Sequence, residues 1–161
     1  MPDQAVAKLI QDSKIGAELT GVQCAALAAL VQVVEYADGQ VVVAEGATDE
    51  RLRVVLTGAL GVAKKSADGD WVRLNVLTAG ELAGELAFLD SQPRYAALVA
   101  LGPTRLLALE RTRLESLLET DPLLVYRVMR AVARFAHQVL HRSAWQMAQL
   151  TAYVYKTQAK Y

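Results

Sequence analysis

The spacing of apolar residues changes twice along this chain. From residue 19 to residue 34, leucine, valine and alanine recur at intervals of three and four, with Thr20 placed to cap the run, so the pattern predicts a helix. From Val33 to Glu110 the apolar runs become short and β-branched, at 41–43, 52–56, 71–76, 97–99 and 106–109. Between them fall Asp38-Gly39, Glu45-Gly46, Thr57-Gly58, Asp68-Gly69 and Ala79-Gly80, which supply the positive-φ positions that tight turns need. Many short strands at near-regular spacing predict a sandwich, roll or barrel. The helical period then returns, first in Leu114, Leu117 and Leu118, and again behind Asp121-Pro122 through Val125, Val128, Val132, Phe135 and Val139. Asp121 is the expected cap of this last helix and Pro122 its first residue. Its stripe persists through Ala144, Met147, Leu150 and Val154, and the end beyond Leu150 is expected to fray.

Composition narrows the class. With 161 residues, 53% of them hydrophobic and 21% charged, the chain can build one core and not two comfortable ones. A single domain over 1–161 is expected, α+β and mainly β, with the β part at about 33–110 and C-terminal helices at about 111–155. Seventeen basic residues balance seventeen acidic ones, so the overall charge attracts neither nucleic acid nor an anionic membrane, and any anion site must be local. The lone Cys24, in an alanine- and leucine-rich segment, reads as a small buried residue, in keeping with a reducing compartment. Met-Pro-Asp-Gln at the start is not a secretory signal, and no apolar run is long enough to span a bilayer, so a cytoplasmic protein is expected.

The chemistry concentrates in Gly84-Glu85-Leu86-Ala87-Phe88-Leu89 and Pro93-Arg94-Tyr95-Ala96. A glycine followed by a short helix-prone run presents backbone amides without internal acceptors, which suit an anion. Arg94 adds a planar cation that can grip a phosphate through two bonds, while an ionised Glu85 can only accept and must face a donor such as a sugar hydroxyl. A sugar phosphate satisfies all three. The bland alternative makes Glu85 a first-turn carboxylate and Arg94 a surface charge paired with Asp90.

These residues resemble the phosphate-binding cassette of the cyclic nucleotide-binding domain family, in which Gly-Glu-Leu-Ala is followed by Arg-Ser-Ala or Arg-Thr-Ala. Gly84, Glu85, Leu86, Ala87, Arg94 and Ala96 match, and Tyr95 stands where the family places a small hydroxyl. The likeness runs from about Leu19 to about Leu140, with Gly39, Gly46 and Gly58 at the family's turns. It implies an eight-stranded β-roll (a jelly roll, or double-stranded β-helix) with an N-terminal helix, a short cassette helix and a long C-terminal helix. It also implies a cyclic nucleotide ligand, cyclic AMP first, held by Gly84, Glu85, Leu86, Ala87, Arg94, Tyr95 and Ala96. The phenol of Tyr95 reaches too far to replace the small hydroxyl, although its amide does not. Leu74 and Leu77 are the residues expected beneath the sugar and base, and Val139 and Leu140 fall where the family sets small hydroxyls against the purine. Homodimerisation through the last helix and an unknown downstream protein partner complete the expectation.

Other classes fare worse. Both histidines, His137 and His141, lie four apart on the last helix without a further imidazole or a cysteine cluster, so neither a metal site nor cupin-type catalysis is expected. Serine and cysteine have no histidine nearby, and no phosphate loop of the nucleotide-hydrolase type is present, so no enzyme is expected. The tail after Leu150 is too short for a DNA-reading domain. Glu81 reads as a turn carboxylate, and Trp71 and Trp145 as packing residues. The competing function is an empty roll that serves protein interaction and dimerisation, with no nucleotide.

Overall fold

The computed structural model describes residues 2–159. Helix α1 (Pro2–Gln11) leads through a 3-10 turn (Gly16–Glu18) to α2 (Gly21–Ala28), followed by β1 (Val31–Tyr36), β2 (Val41–Val43), β3 (Arg51–Lys65), β4 (Trp71–Leu77) and β5 (Leu82–Ala83). A short α3 (Glu85–Asp90) precedes β6 (Ala97–Glu110), and α4 (Arg111–Glu115) and α5 (Pro122–Gln158) close the chain. This is an α+β arrangement of one antiparallel sheet with flanking helices.

The described residues form six strands in the order β1-β6-β3-β4, with β2 on β6 and β5 on β3, where eight were expected. The difference lies in β3 and β6, which have 15 and 14 residues. Gly58, expected in a turn, keeps its positive φ of 80° but sits inside β3, where the register against β6 shifts on both sides of Thr57. A Cβ there would meet the Pro103 carbonyl oxygen at 2.5 Å, so only glycine allows the two long strands to approach while they bend. Each long strand thus serves two neighbours in turn. The first half of β3 pairs with β5 and its second half with β4, while the first half of β6 pairs with β2 and its second half with β1.

The N-terminal part corrects the expected helix over 19–34. Thr20 does cap α2, in a reciprocal box with Gln23, but the helix ends at Ala28. Residues 31–34 instead extend along β6, Val31 opposite Leu109 and Val34 opposite Leu106, because β-branched residues beside an open strand gain more from the ladder than from another helical turn. Helix α1, which the spacing did not predict, buries Ile10.

Alternation along the strands separates two cores. Leu52, Val54, Leu107 and Leu109 face the helices, together with Leu27, Phe88, Val128, Val132 and Phe135. Val55 and Leu106 point the other way, into a second cluster with Leu60, Val62, Leu77 and Leu98. Phe88 of α3 and Phe135 of α5 lie in the same cluster, so the short helix and the long one are packed together. Asp121 caps α5 by accepting from the Leu124 amide at 3.1 Å, with Pro122 at its first turn. The helix spans 37 residues and runs to Gln158, past the point where fraying was expected. Leu140 and every described residue after it are exposed. Trp71 and Trp145 are exposed as well, so neither packs as expected. No helix among the described residues is long and apolar enough to cross a membrane.

Candidate functional site

Strand β5 ends at Ala83 and the chain turns through Gly84 at φ 81° directly into α3. The amides of Glu85, Leu86 and Ala87 lie in the first turn, where a helix offers no acceptor, and the first intrahelical bond runs from the Phe88 amide to the Gly84 carbonyl. The missing side chain at position 84 has a second consequence. A Cβ there would overlap Arg94 Nη1 and stand 2.8 Å from its Cζ, so the guanidinium packs directly against the glycine that starts the helix and would have to move to admit a side chain.

Arg94 is fixed through its backbone and its side chain. Its amide donates to the Ala47 carbonyl at 2.9 Å, and its own carbonyl accepts from the Gly46 amide at 2.8 Å. The buried side chain donates through Nη2 to the Arg51 carbonyl at 2.7 Å and lies 3.4 Å from Asp49 Oδ1. Its partner is therefore Asp49, 45 residues earlier, and not the neighbouring Asp90. Nε of Arg94 is buried without a hydrogen-bond partner among the described residues.

Asp49 serves a second buried cation, since Arg53 Nη2 donates to Asp49 Oδ2 at 2.8 Å. Two guanidinium groups thus share one carboxylate beside the cassette, and Arg94 also feels the charge of Glu85. Burial by itself would raise the Asp49 carboxyl, yet the Arg53 hydrogen bond, the Arg51 amide and the charges of Arg53 and Arg94 outweigh it and hold the group below the ordinary value. Glu85 shows the opposite balance. Burial pushes its carboxyl above the ordinary value, opposed only in part by its own amide and the charge of Arg94. Burial also lowers Arg94, against the pull of Asp49.

Glu85 and Arg94, but neither Asp49 nor Arg53, line one cavity of about 440 Å³, within the range of small-molecule sites. Gly84, Glu85, Leu86, Ala87, Arg94, Tyr95 and Ala96 all border it, as do Leu74, Leu77 and Val139. Leu140 does not. It follows Val139 by 100° around α5, which turns it out to solvent at 69% exposure. The wall that α5 supplies is made instead by Phe135, Val139, Arg142, Ser143 and Gln146, which share a helix face, and β4 adds Asn75. The last three of these helix residues and Asn75 were missed from the sequence, because polar residues on a long helix carry no local signal of a site.

Arg111 supports the cassette from behind. It donates to Ser91, the residue with φ 61° that ends α3, and bridges Glu50 at 2.9 Å and Glu115 at 3.1 Å. The carboxyl end of α3 is thereby tied to the Asp49–Glu50 loop and to α4. Glu81 is a turn carboxylate as expected, accepting from the Thr78 amide at 2.8 Å, and it also faces Arg142 at 3.8 Å. His137 and His141 are exposed, and no cluster of three potential metal ligands occurs among the described residues. A more open concavity of about 850 Å³, with Lys65 over the Trp71 ring, lies on the opposite face of β3 and β4 and includes none of the expected site residues.

An antiparallel sheet with flanking helices, a glycine-led helix and a buried arginine bordering one cavity form a candidate small-molecule binding domain. The family profile described as the cyclic nucleotide-binding domain matches residues 33–121, more than half of the chain, and the protein belongs to that family. Among curated relatives, a CRP-like cAMP-activated global transcriptional regulator of Mycobacterium tuberculosis is 28% identical over 117 residues, covering 71% of this chain and 52% of its own. The chain thus spans about half the length of that relative. Among solved structures, the N-terminal domain of a transcriptional regulator from Streptomyces coelicolor is 34% identical at a TM-score of 0.72, covering 81% of this chain and 94% of that one. A cyclic nucleotide-binding domain from Methylobacillus flagellatus, at 22% identity, has the same fold with a TM-score of 0.81 over 91% of this chain and 83% of the other.

Proposed function

We propose that this chain is a regulatory domain that senses a cyclic purine nucleotide and passes the signal through α5, without catalysis. The observation that carries the reading is Arg94: a buried cation bordering the cavity, with an unpartnered Nε and a carboxylate neighbour shared with Arg53. A cyclic phosphate would supply the missing acceptor and a further negative charge at once. Glu85, which burial makes reluctant to ionise, would accept from the ribose 2′-hydroxyl, and the α3 amides would complete the phosphate cradle. Cyclic AMP is the first nucleotide to test, since the mycobacterial relative is named as cAMP-activated.

The signal has a physical route in this reading. A ligand drawn onto Arg94 and the start of α3 shifts Phe88, which packs in one core with Phe135 and Val132 of α5, and a ligand favours whichever helix position it binds better. A second copy of the chain would then cover the far half of α5. Leu140, Met147, Leu150 and Val154 repeat at intervals of seven, three and four and are all exposed, as the seam of a two-stranded coil would be in a lone chain. The chain as one domain and a cytoplasmic location belong to the same proposal.

Calorimetric titration with cyclic AMP and cyclic GMP tests it. The wild-type chain should bind at least one of them, and Arg94→Ala should weaken that binding about 100-fold or more, the worth of charge-assisted bonds to a phosphate. No heat from either nucleotide at millimolar concentration favours the interaction module instead.

A further inference from the structure

The α5 wall of the cavity carries a cation that the phosphate cradle does not use. Arg142, Ser143 and Gln146 border the cavity from α5, and Asn75 borders it from β4. The only ionic partner of Arg142 among the described residues is Glu81, at 3.8 Å, beyond hydrogen-bond length. The other oxygen of that carboxylate already accepts from the amide and hydroxyl of Thr78, so Glu81 is held while Arg142, with its side chain 46% exposed, remains loosely tied. Asn75 accepts from the Val76 amide at 2.9 Å through its oxygen, which leaves its NH₂ as the group to offer a ligand. The polar side chains on these two walls are therefore rich in donors.

We infer that the site selects guanine over adenine, through Arg142 on α5. The inference rests on the cyclic nucleotide reading above: with the phosphate at Arg94, the base occupies the remaining space between β4 and α5. Guanine presents the acceptor O6 on both its Watson–Crick and its Hoogsteen edge, with N7 beside it, and the two match the fork of a guanidinium. Adenine presents an amino group at the same position, donor against donor. Arginine cannot lose its proton to adapt, whereas Gln146 can turn its amide either way and accept from the guanine N1–H or N2–H₂. Leu74, Leu77 and Val139 supply apolar cover, which is indifferent to the choice of purine.

The test is calorimetric titration of cyclic GMP and cyclic AMP into the wild-type chain, Arg142→Ala and Glu81→Gln. The wild type should prefer cyclic GMP by about tenfold or more, the discrimination typical of a bidentate arginine–guanine pair. Arg142→Ala should abolish that preference by weakening cyclic GMP alone, and Glu81→Gln, which removes the charge facing Arg142 and leaves an amide oxygen to accept from Thr78, should keep it. Equal affinities in the wild type, a preference for cyclic AMP, or tighter binding of a cyclic dinucleotide than of cyclic GMP overturns this inference and leaves the sensor reading standing. If Glu81→Gln behaves like Arg142→Ala, the pair is a structural tie and the base selection fails. Absence of binding by either nucleotide sinks the sensor reading and this inference with it.

Discussion

Asp49 and Glu85 both lie near Arg94, and their environments push them in opposite directions. Asp49 accepts from Arg53, the Arg51 amide and Arg94, so its charge is matched before any ligand arrives. Glu85 is half-buried, with little beyond its own amide and the charge of Arg94 to offset its lost hydration, so its carboxyl sits above the ordinary value in the free protein. One carboxylate stabilises the fold; the other holds a polar group unmatched until a donor comes. Strain of this kind is expected where a site is organised for something not yet bound.

The contrast is sharpest under substitution. Asp49→Asn leaves two buried guanidinium groups without an anion and should cost about 3–5 kcal/mol, read by urea denaturation of the ligand-free chain. Gly84→Ala imposes a side chain at φ 81° and presses a methyl group onto the Arg94 guanidinium. The backbone part alone is about 1–2 kcal/mol, and displacement of Arg94 should abolish nucleotide binding by calorimetry. Glu85→Gln behaves differently from both. It should weaken nucleotide binding by about 2 kcal/mol, one charge-assisted hydrogen bond, while the free protein at neutral pH stays as stable or gains about 1 kcal/mol.

Titration gives the smallest effect and the most specific one. Asp49 has a lowered value when folded, so its contribution is complete above the unfolded value of about 3.9 and is lost as pH falls through the folded one. Glu85 has a raised value, so the folded chain takes up its proton first, and stability rises as pH falls through that value toward about 4.3. The ligand-free protein should therefore show a shallow stability maximum in mild acid. Glu85→Gln should remove the rise, and Asp49→Asn should remove the later fall. Nucleotide affinity should decline over the range in which Glu85 becomes protonated, because only the carboxylate accepts from the ribose hydroxyl without a competing proton.

The same contrast explains what the sequence made legible. Gly84, Glu85 and Arg94 stand within eleven residues of one another, and such local constellations can be read from a string. Asp49 and Arg53 reach the site through the fold, from the loop before β3 and from a strand position whose neighbours Leu52 and Val54 face the other way. A lone aspartate among polar residues carries no sign of that role. Strand β1 was hidden because its valines continue a helical spacing, and β3 and β6 were divided because the same positive φ that makes a turn also bends a strand at Gly58. Leu140 shows the limit of matching a helix by position: one residue is 100° of rotation, enough to move a side chain from the cavity to solvent. Arg142 and Gln146, seven and eleven residues after Phe135, lie on the correct face for the cavity, but that phase could be known only once Phe135 was seen to be buried beside it.

The most direct measurement follows the Nε–H resonance of Arg94 by nitrogen–proton correlation NMR during titration with cyclic GMP or cyclic AMP, with the resonance assigned by its loss in Arg94→Lys. Since this group is buried without an acceptor in the free protein, a phosphate that reaches it should shift the proton strongly downfield and slow its exchange, while the Arg53 Nε–H moves little. An Arg94 signal that stays in place at saturating concentrations of both nucleotides would contradict the account.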